Sequence, residues 1–138
     1  MSVFLVDKSA LARWGQPAVG AVLDDLNDRG LLSTCAVVEY EMIFSARTKL
    51  DASRIRTSLR GFDYAPCNDE EHERVLWLQR EALRRGFHRA LSLSDLLIAA
   101  VAQRHGLTIL HYDGDFDMIE EITGQTMRWV VHPGTADR

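Results

Sequence analysis

Short apolar runs alternate along this chain with longer stretches in which apolar residues recur at helical spacing. Val3-Phe4-Leu5-Val6 is the first run, and it ends at Asp7. An unbroken run of this length suits a strand covered on both faces. Ser9 is placed to cap a short helix through Leu11, Ala12 and Trp14. Pro17 suits the first turn of a second helix, with Val19, Val22, Leu23 and Leu26 on one face and Gly30 as its stop. Leu31 to Cys35 predicts a second strand, and Val37 to Lys49 a helix with Val38, Met42 and Ser45 in register. Ala52 to Arg60 reads as a polar helix with Ile55 and Leu59 inward. Tyr64-Ala65-Pro66 reads as a short edge strand, where proline is tolerated. Asp69 to Arg85 is a long amphipathic helix carrying Val75, Leu78 and Leu83, stopped by Gly86. Ser94 and Asp95 open a helix that is apolar nearly all round from Leu96 to Ala102, which marks it as central and buried. Gly106 ends it. Leu107 to His111 predicts a third strong strand, Phe116 to Ile122 a helix, and Trp129 to Val131 a last strand.

Strands alternating with helices throughout define an α/β domain with a mainly parallel sheet and a helical layer on each face. No internal repeat, low-complexity segment or linker interrupts it, so residues 1–133 read as one domain and 134–138 as a loose tail. At 138 residues such a domain buries roughly two-thirds of its unfolded surface and needs no disulfide or structural metal. A hydrophobic share of 46% against 26% charged excludes a disordered chain. No apolar stretch of about 18 residues suggests a membrane span. Met1 to Asp7 lacks the basic flank of a secretory signal, and Cys35 and Cys67 stand far apart. A reduced, cytoplasmic protein is expected.

The net charge of −4 excludes a grip on nucleic acid through bulk charge, so the placement of the acids matters more than their number. Asp7 directly follows the first strand. Asp113 and Asp115 directly follow the third, with Gly114 between them. In open parallel sheets ligands bind beyond the carboxyl ends of the strands, where the strand order reverses. Asp95 stands at the start of the buried helix, and Glu39 and Glu41 near the start of the helix after the second strand. Carboxylates converging in a small site either hold protons or bind a hard divalent cation, and an all-oxygen set favours Mg²⁺ or Mn²⁺ over zinc. Such ions typically work on phosphate substrates. Each acid also has a plain structural reading. Asp95 beside Ser94 suits any helix start, and Asp113-Gly114 suits any turn. His111 beside Tyr112 reads as packing, and Trp14, Trp77 and Trp129 as core or interface.

Four segments taken in order resemble the motifs of PIN-domain ribonucleases. They are Phe4-Leu5-Val6-Asp7-Lys8-Ser9-Ala10, Val38 to Arg47, Ser94 to Ala100, and Asp113-Gly114-Asp115-Phe116-Asp117-Met118-Ile119. Size and motif detail are similar to the VapC toxins of bacterial toxin–antitoxin pairs. The resemblance implies a three-layer α/β/α fold and a Mg²⁺- or Mn²⁺-dependent endoribonuclease leaving 5′-phosphate and 3′-hydroxyl ends. It also implies an RNA substrate, a homodimer, and silencing by a VapB-type antitoxin whose C-terminal segment lies in the active-site groove. The acids there suit pairing with a partner arginine in place of the metal, and an apolar partner helix is expected near the helix carrying Glu41 and the segment Arg47 to Leu59. Asp7, Glu41, Asp95 and Asp113 match the family's acids as catalytic and metal-binding residues, and Asp115 a further acid that joins them. Ser9 matches a hydroxyl that steadies the first acid or a phosphate. Glu39 remains a rival for Glu41. Two positions depart from the pattern: Lys8 and His111 both stand where threonine is commoner. Arg47, Lys49, Arg84, Arg85 and Arg89 read as strand contacts for RNA or as a solvated helix face. Two other readings are a receiver-type signalling module with an acidic Mg²⁺ pocket and a PIN fold that binds RNA or protein without cutting. The receiver's usual acid pair and late lysine are absent.

Overall fold

A computed structural model describes residues 2–137. Five strands form one wholly parallel sheet: β1 (Phe4–Val6), β2 (Leu32–Thr34), β3 (Asp63–Tyr64), β4 (Thr108–His111) and β5 (Met127–Trp129), in the order β3-β2-β1-β4-β5. The chain winds outward from β1 to one edge, then returns to fill the other side. The direction of winding therefore reverses between β1 and β4, which pair in parallel, Phe4 with Thr108 and Val6 with Leu110. Every residue of β1 and β2 is buried. That burial requires cover on both faces, and the helices supply it as outer layers of an α/β/α sandwich. They are α1 (Lys8–Leu11), α2 (Pro17–Asp28), α3 (Ala36–Phe44), α4 (Lys49–Leu59), α5 (Asp69–Arg85), α6 (Leu93–Arg104) and α7 (Asp115–Thr123).

Several boundaries differ from the sequence expectation, each for a local reason. The helix expected over Val37 to Lys49 breaks after Phe44, because Thr48 accepts the Asp51 N–H and caps a new helix. The edge strand shifts to Asp63–Tyr64, and Ala65 adds only an N–H to Thr34 O. Asp7, rather than Ser9, caps α1 by accepting the Ser9 N–H. Ser92 caps α6 by accepting the Asp95 N–H at 3.1 Å, which frees Ser94 for another partner. The final strand begins two residues early, where β4 offers ladder partners to Met127 and Trp129. A capping box on α5 joins Asn68 and Glu71, and Gly86 at φ 84° ends that helix in the left-handed conformation glycine favours.

Residues 134–137 are docked rather than loose; Arg138 lies outside the described residues. The Tyr112 hydroxyl accepts N–H groups from Gly134 at 2.8 Å and Ala136 at 2.9 Å, and donates to the Asp137 carboxylate at 2.6 Å. Arg13 donates Nε–H to Ala136 O at 2.7 Å, and its guanidinium lies 4.6 Å from the centre of the Tyr112 ring. Ala136 is 3% exposed.

Candidate active site

The carboxyl ends of β1 and β4 are neighbours, so the acids that follow them meet. Asp7 is buried at the end of β1. Its Oδ2 accepts the Ser9 N–H at 2.9 Å and the Ser9 hydroxyl at 2.6 Å, while its Oδ1 is buried with no partner. The Ser9 hydroxyl also accepts the Tyr112 N–H at 2.8 Å, so one serine ties the end of β1 to the end of β4. Glu41 reaches in from α3. The Ser94 hydroxyl donates to its Oε2 at 2.9 Å, and its Oε1 is buried without a partner. Asp95 sits in the first turn of α6 at 6% exposure. Asp113 follows β4 and accepts the Asp115 N–H at 3.0 Å, which places Asp115 at the start of α7.

Carboxylate oxygens of Asp7, Glu41 and Asp95 lie within 4.8 Å of one another, and those of Asp95, Asp113 and Asp115 do the same. Asp95 belongs to both trios. All the acids matched to the motifs are thus brought together. Glu39 joins neither trio, because two residues along a helix is more than half a turn, and its side chain cannot share the direction of Glu41.

Burial without compensation sets the electrostatics. Desolvation raises the Asp7 carboxyl to about 6, against the pull of its Ser9 hydrogen bonds; Glu41 and Asp113 add to the rise. Desolvation also raises Asp95 to about 8, reinforced by Asp7, Asp113 and Glu41. Asp115 is raised for the same two kinds of reason, with Asp113 as the charged neighbour. No ion pair among the described residues joins a lysine or arginine to these acids. An all-oxygen donor set with buried, unpartnered oxygens on Asp7 and Glu41 fits a hard divalent cation.

Sequence reasoning did not find Ser94 as the holder of Glu41, nor the hub made by Tyr112. The pattern Ser92-x-Ser94-Asp95, with one hydroxyl more than a cap needs, was the available signal. His111 does pack, 5.0 Å from the rings of both Phe116 and Trp129, but its Nδ1 also accepts the Asp113 N–H at 3.1 Å. Desolvation lowers its pKa to about 4, so the ring is neutral. Lys8 lines a shallow pocket with Tyr40, Glu41 and Phe44 at the border of the site. Arg47, Lys49, Arg84, Arg85 and Arg89 are all exposed, and Arg84 pairs with Glu81.

A doubly wound parallel sheet with acids at its switch point is shared by several kinds of protein. The PIN domain model matches residues 4–122, from the first strand through α7, and the chain belongs to that family. This sets aside the receiver reading. Among sequence relatives, ribonuclease VapC21 of Mycobacterium tuberculosis is 42% identical over 134 residues, covering 96% of this chain and 97% of its own length. Ribonuclease VapC51 of the same species is 37% identical, with 97% of each chain covered. A toxin–antitoxin complex from Klebsiella pneumoniae contains a chain of the same fold, with a TM-score of 0.72 at 20% identity, covering 93% of this chain and 98% of that one. The sarcin–ricin-loop-cleaving toxin VapC20 of M. tuberculosis matches with a TM-score of 0.64 at 20% identity, over 94% of this chain and 99% of that one.

Proposed function

We propose that this protein is a metal-dependent endoribonuclease and the toxin of a toxin–antitoxin pair. The observation that carries the reading is the pair of carboxylate trios joined at Asp95, with buried oxygens on Asp7 and Glu41 that no protein donor satisfies. Full-length likeness to proteins named VapC ribonucleases supplies the substrate class. Asp7, Glu41, Asp95, Asp113 and Asp115 would hold a Mg²⁺ or Mn²⁺ ion, which would lower the pKa of water so that hydroxide is available to attack a phosphodiester and would offset negative charge developing on the phosphate. The chain's own residues prepare the place. Ser9 donates both its hydroxyl and its backbone N–H to Asp7 Oδ2, and Oδ1 is left buried without a protein donor. Ser94 donates its hydroxyl to Glu41 Oε2, and Oε1 is left likewise. Asp95 joins the two trios, and its raised pKa lets it hold a proton near neutral pH until a cation displaces it. The expected products carry a 5′ phosphate and a 3′ hydroxyl.

The partner reading rests on a second place. A mostly apolar cavity of about 270 Å³ lies beside α1, α3 and α4, lined by Leu11, Trp14, Met42, Ile55, Leu59 and Phe62, with Arg54 and Ser58 as its polar members. It suits the apolar face of an antitoxin helix, followed by an arginine that pairs with the carboxylates and competes with the ion. For a homodimer, Phe44 at 90% exposure is the candidate anchor. Trp14 is half-buried, stacks on Phe62 and bonds Asp24, and Trp77 is half-buried under Arg74. No helix among the described residues is long and apolar enough to cross a membrane. The cytoplasm is the proposed site of action because that is where an RNA-cutting toxin meets its substrate.

The test is cleavage of a labelled RNA by the purified protein, with Mn²⁺ and then with chelator. Cutting that needs the metal and disappears in Asp95→Asn is the expected result. Cutting that survives chelation, or survives removal of Asp7, Asp95 and Asp113 together, overturns the proposal. A protein that binds RNA and Mn²⁺ without cutting would be the silent PIN module instead.

A further inference from the structure

His111 ends β4 and is wholly buried. Its ring packs between Phe116 and Trp129, a place that an apolar side chain would fill at no polar cost. What an apolar side chain lacks is the acceptor at Nδ1, which takes the Asp113 N–H at 3.1 Å. A neutral imidazole has one proton to place. With Nδ1 accepting, that proton sits on Nε2, and Nε2 is buried with no partner among the described residues. The fold therefore leaves a donor unpaired at one end of the ring to keep an acceptor at the other.

We propose that His111 is a positioning residue whose Nδ1 fixes the turn that presents Asp113 and Asp115. The Asp113 backbone is held by the ring, and its side chain accepts the Asp115 N–H at 3.0 Å. Together these two bonds set both acids that Asp95 shares its second trio with. The first trio has its own holders, Ser9 on Asp7 and Ser94 on Glu41. His111 is the counterpart for the second, and it acts on the backbone where the serines act on carboxylates. Protein groups behind metal ligands commonly set ligand orientation in this way. The proposal rests on the reading of these acids as a cation site.

Three variants separate the acceptor from the ring. His111→Phe keeps a packed ring and loses the acceptor. His111→Asn carries an oxygen the same number of bonds from the backbone as Nδ1. His111→Gln puts its amide further out. Three measurements apply: hydrogen exchange of the Asp113 amide in the metal-free protein by NMR, Mn²⁺ affinity by calorimetry, and RNA cleavage. In His111→Phe the Asp113 amide is expected to exchange faster, Mn²⁺ to bind about 10-fold more weakly, and kcat to fall with KM for RNA unchanged. His111→Asn is expected to restore most of each. Parent-like exchange and affinity in His111→Phe overturn the proposal, as does His111→Asn failing as badly as His111→Phe, which would assign the effect to packing. If the Phe variant does not fold, slow exchange in Asn with fast exchange in Gln supports the proposal and the reverse order overturns it. A parent protein that binds no Mn²⁺, but whose Asp113 amide is still released in His111→Phe, supports the positioning role and overturns the cation reading instead.

Discussion

Glu71 and Asp95 are buried alike, at 1% and 6% exposure, and the fold treats them in opposite ways. Glu71 accepts the Asn68 N–H at 2.6 Å on one oxygen and the Arg104 guanidinium at 3.1 Å on the other. Its charge is matched and both oxygens are occupied, one capping α5 and the other pairing with Arg104 of α6. Asp95 has Asp7, Glu41, Asp113 and Asp115 for neighbours and no cation among the described residues. Buried charge without a partner is costly, and a chain able to provide Arg104 for Glu71 has withheld any such residue from the carboxyl edge. Burial alone does not mark a site; burial together with missing compensation does.

The largest effect that would test this contrast is on cleavage. Glu41→Gln keeps the shape and the Ser94 contact but removes charge from the first trio, and is expected to reduce RNA cleavage more than ~100-fold with the thermal transition intact. Parent-like cleavage by this variant would place the chemistry elsewhere. Next comes the matched acid. Arg104→Met leaves Glu71 uncompensated and is expected to cost about 2–3 kcal/mol in denaturant unfolding. Mn²⁺ affinity should be unchanged, and a joint loss of both would show that the two regions are not independent.

A third effect has the opposite sign. The folded state holds Asp95 to about pH 8 and Asp7 to about pH 6, whereas both ionise near 4 when unfolded. Their contribution to stability is full below pH 4 and is lost as pH rises through those values. In chelator at pH 7, Asp95→Asn should therefore stabilise the protein, on the order of 1–3 kcal/mol, visible as a raised Tm. His111 works the other way: its folded pKa of about 4 makes stability fall as pH drops from 6.5 toward 4. By the same linkage, Mn²⁺ should bind more tightly as pH rises toward 8 and release protons as it binds, measurable by calorimetry in buffers of different ionisation enthalpy. Affinity independent of pH from 6 to 8 would contradict the protonated starting state. The smallest effect belongs to Glu39→Gln. Lying outside both trios, it should change cleavage and Mn²⁺ affinity by less than about twofold, the level of an ordinary surface substitution.

The central strands were legible as apolar runs, β1 at Phe4-Leu5-Val6 and β4 through Ile109 and Leu110, whereas Asp63-Tyr64 of β3 and Met127-Arg128-Trp129 of β5 carry no such run. Asp7 and Asp113 were legible because they follow those strands and Asp95 because it opens a helix, while Glu41 lies within α3 and was legible only through the motif around it. What sequence could not resolve was competition among nearby hydroxyls and amides. Ser9 and Ser94 both look like caps, yet Asp7 and Ser92 hold those places, and the displaced serines support Asp7 and Glu41. Glu41 was preferred to Glu39 through the motif that follows it, and two residues apart on α3 the side chains point apart, so only Glu41 joins Asp7 and Asp95. His111 looked like packing because a ring that packs and a ring that accepts one N–H are the same residue in a sequence. The docking of residues 134–137 was hidden for a related reason. Its partners, Tyr112 and Arg13, are far away in the chain, and Gly-Thr-Ala-Asp carries no pattern of its own.

That docking gives the molecule an order in time. A growing chain emerges with residues 7, 41, 95 and 113 well before residue 134, so every carboxylate exists before the segment that clasps Tyr112. Tyr112 is the residue whose N–H holds Ser9, and through Ser9 it steadies Asp7. The segment that clasps Tyr112 is thus the last of the site's surroundings to be synthesised. For a protein proposed to cut RNA and made on an RNA template, the interval between the arrival of its acids and the closing of the clasp is a period in which an inhibitor can meet an unfinished cleft.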